Sequence, residues 1–170
     1  MRGPAAMETH MLRKARFAAL AAFCTLGLAV ISISPAQADS ANGVVRVKSA
    51  YGLAETIRRL KADIADKKIR FFAEIDQATL AKEAGIALRP STLLIFGNPP
   101  LGTQFLTSNP DAGLDWPVRV LVQQDQSGAV WAVYTDFDWI ARRYAIADRE
   151  AQFKMASTVI ASITSSVAAP

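Results

Sequence analysis

The sequence predicts a single α+β domain with the element order β-α-β4-α, in which a mostly antiparallel sheet is covered on one face by a crossover helix and a long C-terminal helix. Three observations support this fold class. A β-branched segment, an amphipathic helix and a second strand-like run form one crossover near the start. Three more strand-like runs follow with only short helical segments between them, and a second amphipathic helix closes the chain.

The first half of the domain supplies the crossover. Val44–Lys48 is rich in β-branched residues, which is typical of a strand. The next segment repeats apolar residues at spacings of four, three and four, which predicts an amphipathic helix; these residues are Leu53, Ile57, Leu60 and Ile64. Ile69–Ile75 partly alternates and predicts the second strand. A short helix is expected over Gln77–Ala84, capped by Asp76.

The second half begins with a continuous apolar run. Thr92–Phe96 carries no charge and predicts a central strand covered on both sides. Gly97–Pro117 contains four prolines and predicts an irregular connection with one or two helical turns around Gln104–Thr107.

Two strands and a helix complete the predicted fold. Val118–Gln124 and Ala129–Thr135 are separated by Asp-Gln-Ser-Gly, which predicts a hairpin. The final helix is expected from Asp148, because apolar residues then recur at helical spacing. The sequence shows no internal repeat and no linker.

The first 38 residues have the pattern of a secretory signal peptide. A basic segment, Arg13–Arg16, precedes a seventeen-residue uncharged run, Phe17–Ile33, and Ser34–Ala38 adds a helix-breaking proline and an A-x-A cleavage signal. We therefore expect cleavage after Ala38, a mature domain over 39–170, and a secreted, periplasmic protein with no membrane attachment afterwards. The competing interpretation is an uncleaved anchor, since seventeen residues nearly span a bilayer.

The composition of the remaining chain excludes several function classes. The only histidine, His10, and the only cysteine, Cys24, both lie in the predicted leader. Without them, disulfides, thiol nucleophiles, Ser-His-Asp triads and the usual zinc sites are excluded, so we expect no metal, no cofactor and no catalytic residues. From Asp39 onward 15 Lys and Arg oppose 14 Asp and Glu, and this near-neutral balance argues against nucleic-acid binding.

The middle of the chain carries a recognisable set of motifs. These are Leu88–Pro99 with its Phe-Gly-Asn-Pro string, Gly102-Thr103, and Pro110–Val122 with its Gly-Leu-Asp-Trp-Pro string. Asp125, Gly128, Val130-Trp131, Tyr134 and Asp136 complete the set. In these residues the sequence resembles the DUF302 family, a domain of unknown function. The resemblance implies a TBP-like β-α-β4-α fold and often a homodimer, and it implies no established reaction.

The sequence departs from the family pattern at two places. Asp76-Gln77 stands where an Asp-His pair is common, and Gln123-Gln124 stands where Trp-Glu is expected. Loss of that histidine favours binding or another role that needs no histidine.

Candidate ligand-binding residues cluster around the proline-rich connection, because loops fixed on rigid strands often form sites. They are Asn98, Thr103, Asp115, Arg119 and Tyr134. The sequence also predicts that Arg119 is partly buried and pairs with Asp115.

Three functions remain open at this stage. The favoured one is a non-enzymatic domain that binds a small apolar or amphiphilic ligand between the sheet and the long helix, or serves as an accessory domain. The second is a homodimeric protein-interaction module. The third is a histidine-free enzyme that uses Asp76, Asp115 or Asp136 with Tyr134 or Arg119.

Overall fold

The computed structural model describes residues 37–39 and 42–169. The strands are β1 (Gln37–Asp39), β2 (Val44–Lys48), β3 (Arg70–Asp76), β4 (Ser91–Gly97), β5 (Val118–Gln124) and β6 (Val130–Thr135). The α-helices are α1 (Leu53–Asp66), α2 (Gln77–Glu83), α3 (Pro99–Ser108), α4 (Phe137–Arg143) and α5 (Glu150–Ser165), and a 3₁₀ helix covers Pro110–Leu114. The predicted α+β fold and its β-α-β4-α order are confirmed.

The strands form one sheet in the order β1-β2-β6-β5-β4-β3, and every neighbouring pair is antiparallel. Although β2 and β3 are consecutive along the chain, three strands separate them in the sheet: β3 lies at one edge, and β2 lies beside β1 near the other. The connection between them is α1, which therefore crosses the sheet. The remaining strands, β3 to β6, form a simple meander.

One face of the sheet carries the hydrophobic core. Leu94 of β4 pairs with Val120 of β5, Val122 lies two residues further on, and all three side chains are fully buried. Because strand side chains alternate between faces, these residues share one side of the sheet. The helices α1 and α5 pack there through buried residues that include Leu60 and Ile163.

The opposite face carries side chains that are mostly half-buried or exposed, and we call it the open face. Its apolar members are Ile75, Leu93, Ile95, Leu121, Trp131 and Val133, and its polar members are Arg46, Lys48, Arg119 and Gln123. The expectation that β4 is covered on both sides is therefore wrong. Leu93 and Ile95 point to the open face and are only half-buried.

The proline-rich connection is more regular than the sequence suggested. Pro99 and Pro100 occupy the first turn of α3, and Pro110 opens the 3₁₀ helix. Proline is tolerated there because the first N–H groups of a helix have no partner within it. Asn109 joins the two helices, since its Oδ1 accepts a hydrogen bond from the Asp111 N–H at 3.0 Å. These prolines start helices, so the connection that was expected to be irregular with one or two helical turns contains a ten-residue α-helix and a 3₁₀ helix.

The predicted signal peptide lies almost wholly outside the described residues. Gln37–Asp39 is described, and it pairs with β2 as a short edge strand. The predicted cleavage point after Ala38 falls inside this strand, and cleavage there stays a prediction. Within residues 37–39 and 42–169, no helix combines the length and apolar character needed to cross a membrane.

Candidate ligand-binding crevice and its neighbouring charged cluster

An apolar crevice opens between the covered face of the sheet, α3 and α5. It holds about 410 Å³ of atom-free space, including its open mouth. Its walls are Ile69, Phe96, Gly97, Asn98, Leu101, Gly102, Phe105, Trp116, Val118, Phe137, Ala156, Val159, Ile160 and Ile163. A crevice of this size with apolar walls suits a small ligand with little charge.

Two glycines make room for one wall of the crevice. A Cβ atom added to Gly102 would lie 1.6 Å from Trp116 Nε1, and one added to Gly97 would lie 3.3 Å from the same atom. The Trp116 indole therefore packs directly against the backbone of β4 and α3. The motif glycines and the tryptophan of the Gly-Leu-Asp-Trp-Pro string form one packing unit. The Trp116–Pro117 peptide bond is cis.

Aromatic and polar groups lie near the mouth of the crevice. Phe72, which is 40% exposed at a bulge in β3, meets Trp116 edge to face with ring centroids 6.3 Å apart. Asn98 is exposed at the start of α3, and its side chain makes no capping hydrogen bond there. The Asn98 side chain lies at the wall of the crevice and makes no hydrogen bond with the part of the chain that the structure describes.

Thr103 and Tyr134 lie apart from this crevice. Thr103 is exposed on α3, and its hydroxyl donates to the Pro99 carbonyl at 2.7 Å. Tyr134 lies on β6 beside Val45 and Val120, and burial raises the pKa of its hydroxyl. The five predicted site residues therefore do not converge on one point.

Asp115 and Arg119 meet in a separate charged cluster. Asp115 is only 8% exposed; its Oδ1 accepts from Arg119 Nη2 at 2.6 Å, and its Oδ2 accepts from the Tyr144 hydroxyl at 2.7 Å. Arg143 Nη1 lies 3.4 Å from Oδ2. The same Arg119 Nη2 donates to the Leu114 carbonyl at 2.7 Å. The carboxylate is the buried partner, whereas Arg119 is 44% exposed because it lies on the open face.

The carboxylates considered for catalysis each have a structural partner. Asp76 caps α2, where the N–H and hydroxyl of Thr79 lower the pKa of its carboxyl. Asp136 caps α4 by accepting from the Trp139 N–H at 2.7 Å. In the described part of the chain, no three acidic, histidine or cysteine side chains are grouped so that they could hold a metal ion.

Sequence reasoning missed two features of these sites. Trp116 was not among the predicted site residues, although Gly97 and Gly102 in the neighbouring motifs were a signal that a large side chain needed space. Arg143 and Tyr144 had no detectable signal, since they meet Asp115 only through the placement of α4.

Comparison with known proteins shows the family. The model of the domain of unknown function DUF302 matches residues 45–166. The chain belongs to the DUF302 family. The match includes α1, β3 to β6 and every residue that lines the crevice, so the motif residues named above are family positions in this fold.

Two curated relatives carry a functional name. The fluoride-specific ion channel FluC 1 of Brucella suis biovar 1 (strain 1330) is 40% identical over 105 residues, which is 62% of this DUF302 chain and 41% of that protein. FluC 1 of Brucella abortus biovar 1 (strain 9-941) is 40% identical over the same length, 39% of that protein. The chain thus spans about two fifths of the length of these relatives.

A solved structure supports the fold. The uncharacterized conserved protein DUF302 from Bacillus stearothermophilus has a TM-score of 0.67 and 17% sequence identity, and the match covers 74% of this chain and 98% of that chain. At this identity the likeness concerns the fold alone.

The predicted periplasmic location is wrong. Relatives 40% identical over 62% of the chain are named as ion channels, and ion channels are membrane proteins. The prediction depended on reading residues 1–38 as a removable leader. A seventeen-residue apolar run is close in length to a membrane anchor as well, so its composition did not separate the two.

Proposed function

We propose that this DUF302 chain is a non-enzymatic accessory domain that binds a small apolar or amphiphilic ligand in the crevice beside Trp116. The apolar crevice between the sheet, α3 and α5 is the observation that carries this proposal. The side chains of Phe96, Leu101 and Val159 form apolar walls. Such walls favour ligands with apolar surface, because binding removes that surface from water. Asn98 at its edge can hydrogen-bond a single polar group of an amphiphile.

The test uses 1-hexanol, a small uncharged amphiphile, with the full chain. Proton–nitrogen correlation spectra should show the Trp116 indole signal shifting as hexanol is added. Val159→Phe narrows the crevice from α5 and is expected to weaken this response at least several-fold. Ala161→Phe adds the same bulk to an exposed position of the same helix and should leave it unchanged. Equal responses in both variants would contradict the crevice as the site.

The accessory role that we propose is at a membrane channel. It is supported by the relatives named as fluoride-specific ion channels, in which a segment similar to this chain makes up about two fifths of the protein. A tagged full-length chain, co-expressed with a fluoride channel of its host and extracted in mild detergent, is expected to retain that channel. If no more of the channel is recovered with the tagged chain than with an untagged chain, this role is contradicted.

A second candidate function is a homodimeric interaction module, and the open face favours it. Five strands spaced about 4.8 Å apart and about 20 Å long present roughly 500 Å² in projection. That is about what each partner contributes to an interface of about 1,000 Å² in total. Leu93, Ile95 and Leu121 would form the apolar centre of such an interface.

Light scattering after gel filtration tests the dimer. Leu121→Glu places a charge in the centre of the open face and is expected to convert a dimer to a monomer. Ala54→Glu changes an exposed residue of α1 by the same charge and should leave the mass unchanged. A monomeric wild-type chain at all concentrations would overturn the proposal.

A further inference from the structure

We propose that Arg119 and Arg143, held in place by Asp115, form a binding site for a small oxyanion, either a carboxylate or a phosphate. The site is distinct from the apolar crevice and does not depend on a ligand there. Its two cationic groups come from β5 and from the end of α4. They meet at one carboxylate that is 8% exposed.

The charge balance of the cluster favours an anion. Two guanidinium groups share one carboxylate, so one positive charge is left uncompensated among these three side chains. Arg119 is 44% exposed and Arg143 is 46% exposed, so both reach solvent while Asp115 stays beneath them. One arginine would be enough to neutralise Asp115, so the second arginine adds a positive charge that Asp115 does not balance.

The donors of the cluster are not used up by its internal contacts. Arg119 contacts Asp115 and the Leu114 carbonyl through Nη2 alone, and Arg143 approaches Asp115 through Nη1. A guanidinium carries five N–H donors in a planar fork that matches the two oxygens of a carboxylate or phosphate. Within residues 37–39 and 42–169 the other N–H groups of both arginines have no hydrogen-bond partner, so they are available to a bound oxyanion.

The surrounding side chains hold these donors in fixed positions. The Arg143 guanidinium lies 5.2 Å from the centre of the Trp139 ring and 5.3 Å from that of Tyr144. The Tyr144 hydroxyl keeps its proton directed at Asp115, and burial, followed by that hydrogen bond, raises its pKa. A site assembled before the ligand arrives loses less conformational entropy on binding.

A small hollow adjoins the cluster. It is lined by Asp115, Val118, Arg119, Thr135, Phe137 and Ile140, and it holds about 230 Å³ of atom-free space including its open side. Among the described residues, the Thr135 hydroxyl has no hydrogen-bond partner, so it can add a further donor. The hollow has room for an anion of a few heavy atoms. Arg119 and Thr135 line it, whereas Arg143 is not part of its lining and would reach the anion from outside.

The test is a titration of the full chain with sodium phosphate and with sodium acetate, followed by the side-chain N–H signals of arginine. Sodium chloride at the same ionic strength gives the non-specific response. We expect the arginine N–H signals to shift and to saturate with at least one oxyanion. The oxyanion that binds more tightly, phosphate or acetate, shows whether the site prefers a phosphate or a carboxylate. A response no larger than that of chloride overturns the proposal.

Substitutions place the site on the structure. Arg143→Gln and Arg119→Lys are each expected to weaken oxyanion binding about tenfold, because the first removes a charge and the second removes a planar fork. Arg142→Gln removes the neighbouring arginine of α4, which makes no ion pair with Asp115 among the described residues, and binding should stay unchanged. Equal weakening by all three variants would show general charge attraction and overturn the site. Urea unfolding of each variant confirms that the fold is retained.

Discussion

The two faces of the sheet are built from the same strands and differ in what covers them. Along β4, Leu94 is completely buried beneath the helices, whereas its neighbour Leu93 faces the open side and is half-buried. Along β5, Val120 and Arg119 show the same contrast. The covered face provides the stability of the domain and encloses the crevice. The open face retains apolar area that the monomer does not use.

The largest expected effect tests this difference directly with two adjacent leucines. Leu94→Ala should cost about 2–5 kcal/mol of unfolding free energy, because it leaves a cavity in the core. Leu93→Ala should cost less than half of that in a dilute sample, since part of its side chain already contacts water. Urea unfolding measures both. Equal costs would show that the open face is covered in solution, and a Leu93→Ala cost that grows with protein concentration would indicate dimerisation.

A smaller effect is expected where the covered face meets the crevice. Gly102→Ala should destabilise the domain by about 1–3 kcal/mol, because the new methyl group collides with the Trp116 indole. Gly113→Ala is the matched control, since its Cβ would meet only Leu106 at ordinary contact distances, 3.8 Å and beyond. Thermal unfolding compares the two. In a Gly102→Ala background, Trp116→Leu should cost less than it does in the wild-type chain.

The smallest effect concerns the open face at low pH. Asp125 accepts hydrogen bonds from the Ser127 hydroxyl at 2.6 Å and from the Trp131 indole N–H at 2.8 Å. These contacts, with the hydroxyl first, lower the pKa of its carboxyl to about 2 from an ordinary value of 3.8. The folded state therefore favours the ionised form. The contribution of Asp125 to the free energy of unfolding is complete above about pH 4 and is lost as the pH falls towards 2.

Acid unfolding followed by circular dichroism checks this expectation. Asp125→Asn should flatten the rise of stability between about pH 2 and pH 4, and Ser127→Ala should flatten it in part. An unchanged slope in Asp125→Asn would show that these hydrogen bonds do not hold the carboxylate in solution.

Local patterns predicted the elements of the fold, and their limits explain what was missed. The stripe of α1 and the alternation of β5 follow from side-chain periodicity, which sequence spacing records directly. Helices cover β4 on a single face, and this depends on where all the helices lie, which no local pattern encodes. Asp115 with Arg119 was predictable because the residues are four positions apart. Arg143 reaches the same carboxylate through tertiary packing alone.

The position of β2 also sets an order of events during synthesis. Val45 of β2 pairs with Tyr134 of β6, near the far end of the chain, and its other partner is the short β1. A ribosome releases β2 early, yet β6, the partner that places it in the sheet, is the last strand to be made. The meander β3 to β6 joins neighbours in sequence and can assemble earlier, because closing short loops costs little entropy. One edge of β2 therefore stays unpaired until β6 has been made, and during this interval a chaperone or a second nascent chain has access to that edge.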